Sequence, residues 1–212
     1  MSTIRTRRAA VLAVATVTAA LVLTACGNDD DSAHEGGHGT SASASSTSTA
    51  STAAHNAQDV SFAQGMIPHH RQALEMAELA ADRASSADVK DLAARIEKAQ
   101  DPEIETMSGW LKAWGEDVPQ AMESTGSMSG MDHSGMPGMM DDADMAKLKK
   151  ASGKDFDTLF LTQMVEHHEG AVDMARTEKS KGAYEPATSM ADDIVTGQSA
   201  EISEMNKLLG KD

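Results

Sequence analysis

The feature that most limits how this chain can fold is a duplication. "MIPHHRQALEM", Met66 to Met76, returns as "MVEHHEGAVDM", Met164 to Met174, at a constant offset of 98 residues. Phe62, Met66, His69, His70, Ala73, Met76 and Ala77 match Phe160, Met164, His167, His168, Ala171, Met174 and Ala175 without a gap. Farther on, Ile96, Gln100, Glu103, Ile104, Met107 and Leu111 match Ile194, Gln198, Glu201, Ile202, Met205 and Leu209. Self-similarity at a fixed offset marks one structural unit used twice. Phe62, Met66, His69, Ala73, Met76 and Ala80 step by 3 and 4, the spacing of one face of an α-helix.

The same period predicts helices over about 57–84, 86–114 and 153–181. A fourth opens at Pro186, a residue suited to a first helical turn, and ends near Gly210. Few segments alternate with period two, so strands are not expected. Each copy is then a helical hairpin, and two hairpins make an all-α four-helix bundle. The connection over 115–152 is long enough to run the length of a bundle, as in ferritin-like folds with one long crossover. The alternative is a short-loop up-down-up-down order. Within the connection, "DDADMAKLKKAS" reads as a short helix.

Residues 1–25 read as an export signal, with Arg5, Arg7 and Arg8 ahead of an apolar run from Ala9 to Leu23. That run is too short for a convincing membrane span. It ends in "LTAC", which resembles a lipobox, so Cys26 is expected to be lipidated and to become the first mature residue. The alternative is an ordinary secretory signal with an incidental cysteine. Cys26 is the only cysteine, so a lipidated chain keeps no thiol for disulfides, metal or catalysis. Residues 26–56, rich in Ser, Thr and Ala, carry no apolar side chain larger than alanine beyond Cys26 and read as a disordered tether. His34, His38 and His55 lie in it. The bundle is expected over 57–212, with repeats 57–114 and 153–212 about the crossover 115–152. The reading is thus extracytoplasmic, anchored to the membrane by lipid.

Losing residues 1–25 removes three arginines and no acids, moving the net charge from −15 to −18. So acidic a chain is a poor nucleic-acid binder, because neutralising phosphates with Lys and Arg dominates that affinity.

Neighbouring residues on a helix point about 100° apart, whereas i, i+3 and i, i+4 residues share a face. One histidine of each pair can therefore aim at the bundle centre while the other reaches an adjacent helix. His69, His70, His167 and His168 sit near the middle of their helices, as do Gln100, Glu103, Gln198 and Glu201, so all eight can meet at one level. Met66, Met107, Met164 and Met205 would lie within about two turns of it. An unpaired buried polar group costs roughly 1–3 kcal/mol, so such a layer needs a purpose: a hydrogen-bond network, a metal or a wet cavity. Imidazole with thioether suits soft or borderline ions, Cu(I) above all, whereas calcium or magnesium would want oxygens. Pro68 and Pro102 occur only in the first copy, opposite Glu166 and Ala200, and make the halves unequal.

The crossover adds "MSGMDHSGMPGMM", with Met128, Met131, His133, Met136, Met139 and Met140 among Ser, Gly, Asp and Pro. Flexible thioethers at this spacing can wrap a soft ion. Blander readings are an adhesive loop or a methionine oxidation sink.

"FAQGMIPHHRQALEMA" and "FDTLFLTQMVEHHEGAVDMA", with "MPGMMDDADMAKL" ahead of the second, resemble the bacterial family known as domain of unknown function 305, over about residues 57–210. The resemblance implies a ferritin-like bundle, often secreted or lipid-anchored, with copper bound outside the cytoplasm by some members. Carried over by position, it singles out Met66, His69, His70, Met76, Met164, His167, His168 and Met174. The expected function is copper binding or sequestration as Cu(I), with other soft or borderline transition metals as alternatives, and without turnover of a substrate. The alternatives are a structural or partner-docking bundle and, less well matched, a di-metal oxidase. The latter wants Glu-x-x-His pairs, whereas Glu166 is followed three residues on by Glu169 and only Glu103 and Glu201 supply carboxylates.

Overall fold

Five helices carry the residues that the computed structural model describes, 54–120 and 136–211. They are α1 (Ala57–Arg83), α2 (Ala87–Trp114), α3 (Asp142–Lys150), α4 (Gly153–Lys181) and α5 (Glu185–Leu208). The expected signal, Cys26, most of the tether, and Met128, Met131 and His133 lie outside the described residues. Among those described there is no strand, and α1 and α2 continue through Pro68 and Pro102.

The helix starts are set by side chains that take up free backbone N–H groups. Asn56 Oδ1 accepts from Gln58 (2.7 Å) and Asp59 (3.1 Å), and Asp59 Oδ2 returns an acceptor to the Asn56 N–H at 2.6 Å, a capping box. Ser86 caps α2 and Asp141 caps α3. Gly115, at φ +77°, closes α2 in the left-handed conformation that glycine adopts freely.

α1 and α2 form one hairpin, α4 and α5 the other, and α1 packs on α4. The N-terminus of α1 meets the C-terminus of α4, where Asn56 Nδ2 donates to the Lys181 carbonyl at 2.9 Å. At the opposite end, Ala84 bridges to Gly153. α1 and α4 are therefore antiparallel, and α2 ends at the far end of the bundle from the start of α4. The connection has to travel the length of the bundle, which is the ferritin-like up-down-down-up order.

Both ends are latched by the same device, one per copy. Asp157, near the start of α4, accepts from the Ser85 N–H (3.0 Å), the Ser86 N–H (3.1 Å) and the Ser85 hydroxyl in the α1–α2 turn. Asp59 accepts from the Ala183 and Tyr184 N–H groups, each at 3.0 Å, in the α4–α5 turn. Only the second latch has a further acid. Glu178, fully buried, stands where the first copy has Ala80. Burial, and then the hydrogen bond to Asp59 and its charge, push the Glu178 carboxyl up to about 8. Burial also pushes Asp59 upward, but the hydrogen bonds from Glu178 and from the Asn56, Tyr184 and Ala183 backbone outweigh it and leave that carboxyl below its usual value. Glu178 is thus the protonated member of the pair and Asp59 the ionised one.

The core is not continuous. One apolar cluster takes Ala73, Met76, Ala77 and Ala80 from α1, Val89, Leu92 and Ile96 from α2, Phe156, Phe160 and Met164 from α4, and Met205 from α5. The other takes Phe62, Met66 and Ile67 from α1, Ile104, Met107 and Leu111 from α2, Ala171 and Ala175 from α4, and Ile194 from α5. Along every long helix, the residues between these two sets are the duplicated polar ones.

Candidate functional site

His69 and His70 fall between the two apolar clusters on α1, Gln100 and Glu103 on α2, His167 and His168 on α4, and Gln198 and Glu201 on α5. The four histidines and both glutamines are buried, and the two glutamates are partly exposed at the edges. Which histidine of each pair turns inward follows from the α1/α4 contact. The rings of His69 and His167 lie against each other across it, centroids 3.8 Å apart and planes inclined at 43°. Small neighbours, Ala73 on α1 with Gly170 and Ala171 on α4, leave room for that approach. His70 and His168 turn instead to their own hairpin partners. His70 Nε2 donates to Glu103 Oε2 at 2.6 Å, and His168 Nε2 donates to Glu201 Oε2 at 2.7 Å. The pattern across the bundle is Glu103–His70, His69–His167, His168–Glu201.

Burial is the main force on the central pair. It pulls His69 down to about 3, aided by the charges of His70 and His168 and opposed by its bond to Pro137. His167, enclosed completely, is held well below its ordinary value, first by burial and then by His69, His168 and His70. Both rings are neutral at pH 7. A neutral imidazole has one N–H donor and one lone-pair acceptor. His69 Nε2 donates to the Pro137 carbonyl at 3.2 Å, so its Nδ1 carries the lone pair. In His70 and His168, Nε2 is spent on a glutamate and Nδ1 is the remaining ring nitrogen. Nδ1 of His69, His70 and His168, both nitrogens of His167, and Oε1 of Gln100 and Gln198 are all buried without a hydrogen-bond partner. The layer holds more buried polar atoms than partners for them.

The methionines divide. Met66 and Met107 belong to the apolar cluster on one side of the layer, and Met76, Met164 and Met205 to the cluster on the other. Met174, the counterpart of Met76, is only half-buried. Of the crossover set, Met136, Met139 and Met140 run over the α1/α4 groove. Gln72 clamps the Met140 backbone from both sides, its Nε2 donating to the carbonyl (2.8 Å) and its Oε1 accepting from the N–H (2.7 Å). Gly138 and Gly170 touch so closely that a methyl on Gly170 would lie 2.0 Å from the Pro137 carbonyl oxygen. Gly138 itself has φ +77°. Arg71 holds the Pro119 carbonyl (2.5 Å) and Gln64 the Asp117 carbonyl (3.0 Å), fixing the first limb of the crossover on α1.

Among the described residues, no three His, Cys, Asp or Glu side chains close into a cage around one point. The nitrogens are strung out in pairs, and an ion drawing on more than one pair needs the rings to converge. The sequence did not single out Gly65, Gln72, Gly170, Asp59, Asp157 or Glu178. For Asp59 and Asp157 a signal was present, the same residue at the same offset ahead of the matched Phe62 and Phe160. Gly65, Gln72 and Gly170 depend on where the single crossover lies, which no repeat reports, and Glu178 on how the α4–α5 turn closes.

Comparisons with known proteins give the family and the fold. The sequence model of the family described as "Domain of unknown function (DUF305)" matches residues 59–209. A DUF305 protein from Streptomyces coelicolor, described as secreted, is 35% identical with a TM-score of 0.63, over 73% of this chain and 91% of that one. A DUF305 fragment from Deinococcus radiodurans is 30% identical with a TM-score of 0.64, over 74% of this chain and 97% of that one. CopM in its Cu(I)-bound form is 33% identical with a TM-score of 0.58, over 71% of this chain and 94% of that one. The same CopM protein has also been solved with Cu(II) and with silver. No curated protein matches.

Proposed function

Because the chain belongs to the DUF305 family, we propose that it is an extracytoplasmic copper-binding protein, anchored by lipid at Cys26, that takes Cu(I) as cargo into its histidine layer. The observation that carries this is the surplus of buried polar atoms without partners. Left unpaired, each costs roughly 1–3 kcal/mol, and a cation bound by imidazole lone pairs of the layer would satisfy those it reaches. Imidazole lone pairs flanked by thioethers match a soft ion, and among the described residues no carboxylate cluster competes for a hard one.

What surrounds the rings supports the same reading. A metal-ligating histidine usually gives its other N–H to a carboxylate or a backbone carbonyl, which fixes the ring and raises its basicity. Glu103, Glu201 and the Pro137 carbonyl stand in those roles for His70, His168 and His69. His167 has no such partner. Met66, Met107, Met164 and Met205 are the sulfurs beside the layer, and Met136, Met139 and Met140 the sulfurs of the crossover. That CopM is known with Cu(I), Cu(II) and silver bound is consistent with a soft cargo.

Titrating the full mature chain with Cu(I) against a competing chelator tests the reading. Binding well beyond that of a scrambled Met-rich peptide is expected, with loss of that excess when His69, His70, His167 and His168 are all alanine. Equal affinity for chain and peptide overturns it. The second reading, a purely structural polar layer, draws on the short His–Glu bonds, which need no metal. Under it the four replacements cost the same stability with or without copper. Under ours, copper at 100 times its Kd stabilises the wild type alone, by about 2.7 kcal/mol.

A further inference from the structure

Met136 and Met174 arrive from different parts of the chain and face the same small space. A methyl placed on Gly65 would lie 3.7 Å from Met174 Sδ and 4.0 Å from Met136 Sδ. Both methionines are half-buried, within reach of solvent, unlike the fully enclosed methionines of the core. The space exists because Gly65 has no side chain; the second copy has Gln163 there, which reaches α3 by donating to the Asp144 carbonyl at 3.3 Å. Met136 is not free to drift away. Its neighbour Pro137 bonds to His69, Gly138 lies on Gly170, and Met140 is held by Gln72. Gly65 is also about one helical turn before His69 on the same face of α1, about 6 Å along the axis.

We propose that Met136 and Met174 form a two-thioether entry site for a soft monovalent cation over Gly65, held in place by the strap Met136–Met140 beside the His69/His167 pair. The site deepens the copper reading and rests on it for its cargo. Two neutral sulfurs give a soft ion polarizable ligands without a charge to be buried, and offer little to the hard cations abundant outside a cell. The same strap carries the Pro137 carbonyl that bonds His69 Nε2, so what builds the entry also fixes the first ring of the layer beneath it.

The test is methionine-methyl NMR of the full mature chain with Ag(I) or Cu(I) added below one equivalent. The Met136 and Met174 methyls are expected to shift together, ahead of or with the methionines flanking the histidine layer. Met136→Leu, which keeps volume and loses sulfur, should abolish the Met174 shift. Gly170→Ala should do so as well, because it favours the α4 helix but drives a methyl into Pro137. Gly65→Ala keeps the fold by the same helix preference and fills the space between the sulfurs, so it should weaken the joint shift. Silence at both methyls while the chain still binds Cu(I) tightly overturns the entry site alone. No binding of either metal by any part of the chain overturns the copper reading with it. A joint shift that survives replacement of all four histidines leaves the entry site standing where the layer reading has failed.

Discussion

The α1–α2 and α4–α5 hairpins are copies, and what they keep differs in kind from what they lose. Both keep the carboxylate that caps the other copy's turn, the histidine bonded to a glutamate 33 residues on, and a buried glutamine whose carbonyl has no donor. They part where the crossover passes. His69 has the Pro137 carbonyl and His167 has nothing; Gln72 clamps the strap whereas its counterpart Gly170 makes way for it; Gly65 opens a space that Gln163 fills. Duplication therefore builds the acceptors and the frame that holds them level. The crossover, present once, makes the two central histidines unequal. A perfectly symmetric layer would present the same partners from both sides, and this one does not.

The sharpest way to break the shared frame is to remove its latches. Asp59→Ala and Asp157→Ala each free two turn N–H groups that are otherwise bonded. Each should cost about 2–4 kcal/mol by urea denaturation. Equivalent roles require the two losses to agree within about 1 kcal/mol at pH 6. A much smaller loss at either end would show that the latches are alike in geometry only.

Glu178 separates those ends by pH. Its carboxyl is raised to about 8 in the folded chain against a reference of 4.5, so the folded state holds a proton that the unfolded state releases. Stability should then fall as pH rises from about 4.5 and level off above about 8. His69 and His167 act in the opposite direction. Held neutral well below 6.5, they leave the unfolded state binding more protons in acid, so stability falls as pH drops below about 6.5. The metal-free chain should be most stable between about pH 6 and 7. Glu178→Gln should remove the alkaline decline, on the order of 2 kcal/mol at pH 8, and steepen the rise between about pH 4.5 and 6.5, where Glu178 opposes the histidines. An alkaline decline that persists in Glu178→Gln places its origin elsewhere.

Glu103→Gln and Glu201→Gln probe the kept half of the layer. Each should lower Cu(I) affinity by about tenfold, the usual consequence of removing a histidine's outer partner. The two effects should be equal, since the bonds differ by only 0.1 Å. Unequal losses would mean that the crossover's influence reaches past His69 and His167 to the outer rings.

The sequence was most informative where residues repeat at helical spacing. Hairpins, helix bounds and the gathering of eight polar residues at one level all follow from a period of 3.6 and an offset of 98, because burial enforces both. It said less where adjacent residues compete. His69 and His70 differ by 100° of helix, and only the α1/α4 contact settles which one meets His167. Met76 and Met174 occupy matched positions, yet one is sealed into an apolar cluster and the other faces Met136. That difference is set by a crossover with no second copy to align. Glu178, in the last turn of a helix and among lysines, reads as a solvated charge until the α4–α5 turn closes over it.

The smallest effect bears most directly on the source of the asymmetry. Gln72→Ala removes two hydrogen bonds to the Met140 backbone, at 2.7 and 2.8 Å. Met140 is half-buried, so the freed N–H and carbonyl reach water and the cost is the net value of ordinary bonds, about 1 kcal/mol, rather than a full desolvation penalty. Local protection should fall further than global stability, since the Met140 N–H loses its only acceptor while the bundle keeps its core. Hydrogen exchange at Met140 should quicken by about tenfold or more. Arg71→Ala, which releases Pro119 on the other limb, should leave that amide alone. If Met140 exchanges at the same rate in Gln72→Ala as in the wild type, the strap is not held from α1. The inequality of His69 and His167 must then rest on the Gly138–Gly170 contact with α4 or on differences within the bundle, Pro68 and Pro102 among them.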